Sequence, residues 1–421
     1  MSPAEAEARL LAGDPAAVLG IRGSFALAAC DGERVCLARS LERPLRYFLA
    51  KEAEGPMLVV AERIDDIRRC LEAEGYGHQF HPSYTRMAPA HHVTVLRLVG
   101  CPDPNPTYRR FFAPERGTLP PDLDAIGEAY VGRLYEELRS WVVAAGEREP
   151  LGVLFSGGAD SGAVLLCLYR LLLDLGQSPS RLKAFTLAVE GGGSDLAQAR
   201  EFLRRVDLEM LGEAVEVPAA AIDPLAAVEV IEDYKPLDVE CAAVGIALLA
   251  GIRARYPGWR LLADGDGGDE NLKDYPLEDN PELTIRSVVA NSMLYQEGWG
   301  VDAIKHSLTY SGGFSRSCVR TWAPARRYGF HSFSPYARPS VVAVAEAIPF
   351  AALSGGSHAA LYALKGEVLR RGVAAVTGCE LPVFPKRRFQ DGAAPEGSLR
   401  DSFALPAERY RSHFFALHGR G

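Results

Sequence analysis

Ser156, Gly157, Gly158, Asp160 and Ser161 are the residues whose types and spacing point most directly to chemistry. They follow the apolar run Leu151-Gly152-Val153-Leu154-Phe155 and precede the helix-forming run Ala163 to Leu168. A short buried strand, a tight loop of glycines and hydroxyls and then a helix make an anion cradle. Backbone N–H groups point outward, the glycines admit phosphate oxygens, and the helix dipole favours negative charge. No Gly-Lys-Ser/Thr follows, so the spacing is not that of a Walker loop. Asp160 instead places a carboxylate where a magnesium ion can bridge protein and phosphates. The bland alternative is an ordinary strand-to-helix turn.

A second cluster, Asp264-Gly265-Asp266-Gly267-Gly268-Asp269-Glu270, closes the predicted strand Arg260 to Ala263. Four carboxylates in so short a run repel one another unless a cation gathers them, and a hard-oxygen magnesium site facing the first loop accounts for them. A solvated acidic turn is the competing reading, and the spacing is not that of an EF-hand. A third cluster, Pro385-Lys386-Arg387-Arg388-Phe389-Gln390-Asp391-Gly392, brings cations beside an aromatic near the C-terminus. It suits a triphosphate or a departing pyrophosphate, or else forms a solvated basic tail.

The elements that position these clusters follow from the periodicity. The chain has 421 residues, 48% hydrophobic and 24% charged, which is the balance of a soluble globular protein long enough for two domains. A net charge of -8 disfavours general nucleic-acid or membrane-surface binding. The eight cysteines form no Cys-x-x-Cys pair, so reduced thiols in a cytoplasmic protein are expected. No signal pattern or bilayer-length apolar run occurs. Residues 1–105 read as a small β-rich domain. It has a hairpin, Gly23–Cys30 and Arg34–Arg39 about Asp31-Gly32, and a second hairpin, Leu45–Leu49 and Met57–Ala61. A helix from Ile64 to Glu74 and a strand from Val93 to Leu98 follow, and the proline-dense run Cys101–Pro106 serves as linker.

Residues 118–421 change character. Leu123–Ala145 is a helix, and strands at 151–155, 182–189, 214–217 and 260–263 alternate with helices at 195–205, 224–231 and 242–255, with Ser194 as an N-cap. The alternation predicts an α/β fold, a parallel sheet with helices on both faces, with ligands at the carboxyl ends of the strands.

The three clusters, in this order, resemble the asparagine synthetase family, whose ATP-pyrophosphatase fold is shared with β-lactam and carbapenam synthetases. Ser156–Ser161 resembles the family's phosphate loop, Ser194–Arg200 the helix start after its second strand, Gly265–Glu270 its Gly-Glu-Gly-Ser/Ala-Asp-Glu segment and Lys386–Gly392 its Lys-x-x-Phe-x-Asp-Gly segment. The resemblance implies ATP and Mg2+ as cofactors. Asp160 and Asp269 would be magnesium ligands, Ser156, Gly157, Gly158 and Ser161 would hold phosphates, and Leu187 and Gly265 would meet adenine. Lys386 would contact pyrophosphate, and Asp266 falls among the catalytic positions. The implied chemistry is attack of a substrate carboxylate on the α-phosphorus of ATP, loss of pyrophosphate, and displacement of AMP by a nitrogen nucleophile.

Two departures refine this expectation. The family's glutaminase nucleophile is a cysteine exposed when Met1 is removed, whereas Ser2 and Pro3 follow Met1 here and the first cysteine is Cys30. Gly23–Ala61 and Ala88-Pro89-Ala90-His91 resemble only the later half of that domain, so residues 1–105 are expected to be a truncated, inactive glutaminase-like (Ntn-hydrolase-like) unit. At Gly329–Tyr336 the family's Gly-Val-Glu-Ala-Arg-x-Pro-Phe run is altered: His331 stands at the Glu position and Phe333 at the Arg position, which disfavours aspartate. His331 is a candidate base toward an amine, or a histidine bonded to backbone. Tyr310, Arg316, Arg320 and Tyr328 are pocket candidates, and Asp238 or Glu240 either touches substrate or caps a helix. His78, His81, His91 and His92 lack the carboxylate or thiolate neighbours of a metal site.

The expected function is an ATP-dependent, AMP-forming carbon–nitrogen ligase acting on a small-molecule carboxylate and an amine or ammonia. Transfer to a sulfur nucleophile, intramolecular lactam formation and a non-catalytic nucleotide sensor are the alternatives. A carrier or partner protein and a homodimer stay open.

Overall fold

The computed structural model describes residues 1–52, 55–99, 106–274, 277, 284–290, 317–385 and 392–419. The chain opens with α1 (Pro3–Leu11), where the Ser2 hydroxyl accepts from the Glu5 amide and the Glu5 carboxylate accepts from the Ser2 amide, a reciprocal cap. After α2 (Pro15–Leu19) come β1 (Ala26–Asp31) and β2 (Arg34–Arg39). Asp31 pairs with Arg34, so the turn is Gly32–Glu33, one residue later than the Asp31-Gly32 expected. Gly32 takes the left-handed φ of 59° that the tight turn demands, and Asp31 is left to complete the ladder. The second hairpin, β3 (Arg46–Lys51) and β4 (Pro56–Ala61), is as expected. Next are α3 (Ile64–Ala73), β5 (Arg86–Met87), β6 (His92–Arg97) and β7 (Thr107–Arg110). The strands make two antiparallel sheets, β1-β2-β6-β7 and β4-β3-β5. Of the expected linker, 101–105 lies outside the described residues. Beyond it β7 returns to pair with β6, carrying the N-terminal sheet past residue 105.

The second half is the α/β unit. After α4 (Leu123–Ala145) it runs β8 (Leu151–Leu154), α5 (Ala159–Asp174), β9 (Leu182–Val189), α6 (Ser194–Arg205), β10 (Gly212–Val217), α7 (Pro224–Ile231), α8 (Pro236–Arg255) and β11 (Leu261–Ala263). It continues through α9 (Gly268–Asn271), α10 (Ile285–Ala290), a π-helix (Cys318–Trp322), α11 (Ala323–Arg327) and β12 (His331–Phe333). The described chain ends with α12 (Pro339–Ala347), α13 (Phe350–Ser354), α14 (His358–Thr377) and α15 (Ala407–His418). The sheet order is β10-β9-β8-β11-β12, all parallel. Side chains of β9 alternate between two cores: Leu182 and Ala184 pack with α4, α5 and α14, whereas Phe185, Leu187 and Val189 pack with α7 and α8. Helices therefore cover both faces, as the strand–helix alternation predicts.

Three details differ from expectation. Ser194 is the first residue of α6, and Gly193 caps it without a side-chain bond; a Cβ on Gly193 would stand 2.3 Å from the Gly392 carbonyl oxygen, so only glycine fits. α8 starts at Pro236, not Ala242, because proline's fixed φ is compatible with the first helical turn. The run around His331, read as pocket, forms the edge strand β12.

α4 and α14 cross with their backbones in contact: a Cβ on Gly127 would lie 2.8 Å from the Gly372 nitrogen, and one on Gly372 would lie 2.2 Å from the Gly127 carbonyl oxygen. The N-terminal domain is joined to the sheet by a shared core, with Phe48, Ile64, Ile67 and Leu71 packing in one cluster with Val228, Val239 and Leu248. Buried Arg46 pairs with buried Glu232 at 2.7 Å across this junction, and Glu232 also accepts the Ile64 amide at 2.9 Å. No described helix is long and apolar enough to cross a membrane.

Candidate functional site

Strand order locates the site. From β8 the chain winds outward through β9 to β10, then returns to place β11 on the other side of β8. The reversal opens a crevice at the carboxyl ends of β8 and β11, and the loops that follow these two strands are Phe155–Gly158 and Asp264–Gly267.

The first loop is a compact turn. Gly157 takes φ 74°, and a Cβ there would sit 2.7 Å from the Ala199 nitrogen of α6. Gly158 caps α5 with no side-chain bond, leaving the helix N-terminus open toward the crevice. The Ser156 hydroxyl accepts from the Gly158 amide at 3.3 Å, and Ser161, 6% exposed, donates to the Gly158 carbonyl at 3.4 Å. The acid loop closes on this turn because its glycines allow it. A Cβ on Gly265 would lie 2.8 Å from the Ser161 nitrogen, and one on Gly268 would lie 2.3 Å from Asp160 Oδ1.

Asp160 and Asp269 converge on one atom. The Nζ of Lys365, on α14, lies 2.6 Å from Asp160 Oδ2 and 3.4 Å from Asp274 Oδ2, and also bonds Asp269 Oδ1. Burial alone would lower Lys365, but Asp160, Asp269 and Asp274 outweigh it and hold the ammonium well above the usual lysine value. Lys365 was not among the residues singled out from sequence. Its signal was a lysine among Leu361, Leu364, Val368 and Leu369, on the face of α14 that is buried. The Tyr336 hydroxyl, another addition, donates to the Asp160 carbonyl at 3.1 Å.

The other end of the acid loop is held by hydroxyls. Asp264, 2% exposed, accepts from the Asp266 amide at 3.0 Å and from Ser334 Oγ at 2.9 Å. Burial, then the neighbouring Asp266 carboxylate, push Asp264 well above the usual carboxylate range. Asp266 Oδ2 accepts from Thr321 Oγ1 at 2.6 Å, out of the π-helix. Arg320 precedes it; burial opposes its charge, but Cys241, Asp266, Asp238 and Glu270 raise it further above the usual arginine value.

The remaining expected residues divide. Leu187 is buried near the carboxyl end of β9, and Gly265 lies against Asp160 and Ser161 at the start of α5. Lys386 lies outside the described residues, as do Tyr310 and Arg316. Gly392, at the end of that same segment, sits against Asp195 of α6, with room for no side chain. His331 is exposed and pairs with Leu261, so it stands at the end of β12 remote from the acid loop. Asp238 is buried and paired with Lys235, while the Tyr328 carbonyl accepts from Arg253 in the last turn of α8. Among the described residues no group of three or more His, Cys, Asp or Glu is arranged to hold a metal, the N-terminal histidines included. Asp160 and Asp269 nevertheless meet on a single cation. Mg2+ is commonly held by one or two carboxylates plus substrate phosphates, so this pair fits a magnesium ion arriving with a nucleotide.

Fold and loops together define an α/β domain in which a turn of glycines and hydroxyls at a helix N-terminus faces an acidic loop. Residues 137–322 match the family model described as Asparagine synthase, a span that runs from within α4 to the end of the π-helix and leaves the N-terminal domain and α14 outside it. No curated protein matches the chain significantly.

Proposed function

We propose that this chain is an ATP-dependent ligase of the asparagine synthetase type, which adenylates a carboxylate other than aspartate and couples it to an amine or ammonia. The observation that carries this reading is the convergence of Asp160 and Asp269, both inside the segment that matches the family, on one cationic atom at the carboxyl ends of β8 and β11. Ser156, Gly157, Gly158 and Ser161 bind the phosphates through backbone N–H groups and hydroxyls. Leu187 and Gly265 flank the adenine. Mg2+, when bound with ATP, supplies charge neutralisation between the two aspartates and the phosphates. Lys365, and Lys386 by resemblance, offset the charge that grows on departing pyrophosphate. Asp266, fixed by Thr321, accepts the proton that the attacking nitrogen must lose. An amine on the same substrate gives a lactam by the same route.

Sulfur transfer is the weaker reading. Cys167 and Cys318 are buried, and burial raises both thiols, Cys318 to about 12, where a thiolate nucleophile is scarce. The test is incubation with ATP, Mg2+ and a pooled library of carboxylates and amines, read by mass spectrometry. AMP, pyrophosphate and an amidated product are expected from the wild type, and none from Asp160→Asn. Release of ADP and phosphate instead sinks the proposal.

A further inference from the structure

The N-terminal domain meets the π-helix at an indole. We propose that Arg43 and Glu62 are positioning residues for Asp266, acting through Trp322 and Thr321. This rests on the reading of the acid loop as the reacting centre.

Glu62, just after β4, holds two guanidiniums. Arg43, from its own domain, donates through Nε at 3.1 Å, and Arg326 of α11 pairs with the other carboxylate oxygen. Both guanidiniums lie over the Trp322 ring, at 5.1 and 5.3 Å from its centroid. Cations so placed are attracted to the indole face and gain directionality from the shared carboxylate. The clamp is itself anchored. The Glu62 carbonyl accepts from Arg46 Nη1 at 2.7 Å, and Arg46 is the buried partner of Glu232. The loop carrying Arg43 wraps fully buried Arg39, whose Nη1 donates to the carbonyls of Leu41 and Arg43 at 3.3 and 3.2 Å.

Trp322 ends the π-helix, a rare wide turn that is frequent at functional sites. Successive residues on a helix face different directions. Trp322 therefore meets the clamp while buried Thr321 turns inward to donate to Asp266. Moving the indole moves the hydroxyl that fixes the carboxylate. A domain present only to cover apolar surface would need the core shared with α7 and α8, but no charged grip on this one turn.

Hydrogen exchange by mass spectrometry on the full chain, first without nucleotide, tests the coupling. Glu62→Gln should speed exchange in peptides spanning 318–322 and 264–271 about tenfold, the scale of one charged hydrogen bond, with α5 and β9 unchanged. Arg43→Met, which removes both the bond to Glu62 and one cation over the indole, should speed exchange in the same two peptides by less, since Arg326 still holds Glu62 and the ring. Thr321→Val should abolish the further effect of Glu62→Gln on 264–271, since the connection is then already cut. The proposal is overturned by loosening of 318–322 alone, by additive effects of the two substitutions, or by a uniform rise across the chain. A parallel run with Mg2+ and a non-hydrolysable ATP analogue reports on the phosphate loop. Failure to protect 156–162 there refutes the nucleotide reading and leaves the coupling result standing.

Discussion

At one end of the acid loop Asp269 shares the Lys365 ammonium with Asp160 and Asp274; at the other, Asp264 and Asp266 meet the hydroxyls of Ser334 and Thr321. Both ends bring carboxylates together, but they relieve the repulsion by different means. An ammonium is a point charge, and a divalent ion held by phosphates can stand in for it. A hydroxyl only directs one oxygen, so burial and the Asp266 carboxylate still raise Asp264 well above the usual carboxylate range, and Asp266 is left as an acceptor. The cationic end is suited to binding charge, and the hydroxyl end to moving a proton.

The largest effect should come from Lys365→Met. Removing one partner from a buried ion pair costs about 3–5 kcal/mol, so the denaturant midpoint should fall sharply in metal-free buffer. Millimolar Mg2+ should recover part of that loss. An unchanged midpoint would remove the distinction between the two ends. Thr321→Val should cost less, about 1.5–3 kcal/mol for one hydrogen bond to a charged group, and the loss should be indifferent to Mg2+ in the same titration. Recovery by Mg2+ would mean that the hydroxyl end is also a cation seat.

The smallest effect concerns the proton on Asp264. Its folded pKa is raised, whereas an unfolded aspartate ionises near about 3.9. The folded chain thus binds the extra proton, and its stability declines as pH rises from about 4 through the raised pKa. Asp264→Asn keeps a neutral side chain of the same shape, so its stability should fall less over that window. Parallel stability–pH curves for the two proteins would show that Asp264 ionises normally.

The glycine-rich turn after β8 and the acid loop were legible because each is a local pattern of glycines, hydroxyls and carboxylates beside a short strand. The parallel sheet was legible for the same reason, through alternation of strand and helix. Lys365 was not, since it joins Asp160 and Asp269 only when α14 folds back over α4 and α5, and one lysine among leucines announces little by itself. Thr321 was hidden by the wide turn that aims it. His331 drew notice through its place in an altered family run, yet the register of β12 puts it at the wrong end of the strand. Gly193 took the capping role expected of Ser194 because the crowding by Gly392 and Ala394 that excludes a side chain comes from the far end of the chain.

The crossing of α4 and α14 acts as a spacer for the Lys365 ammonium. Gly372 follows Lys365 by seven residues, two helical turns or about 10 Å along the axis. With no methyl group on either glycine, α14 lies flush against α4, and that seating sets how far the lysine projects over the crevice. A single added carbon at Gly127 or Gly372 would work as a shim beneath a lever, lifting the far end away from two aspartates that it never touches.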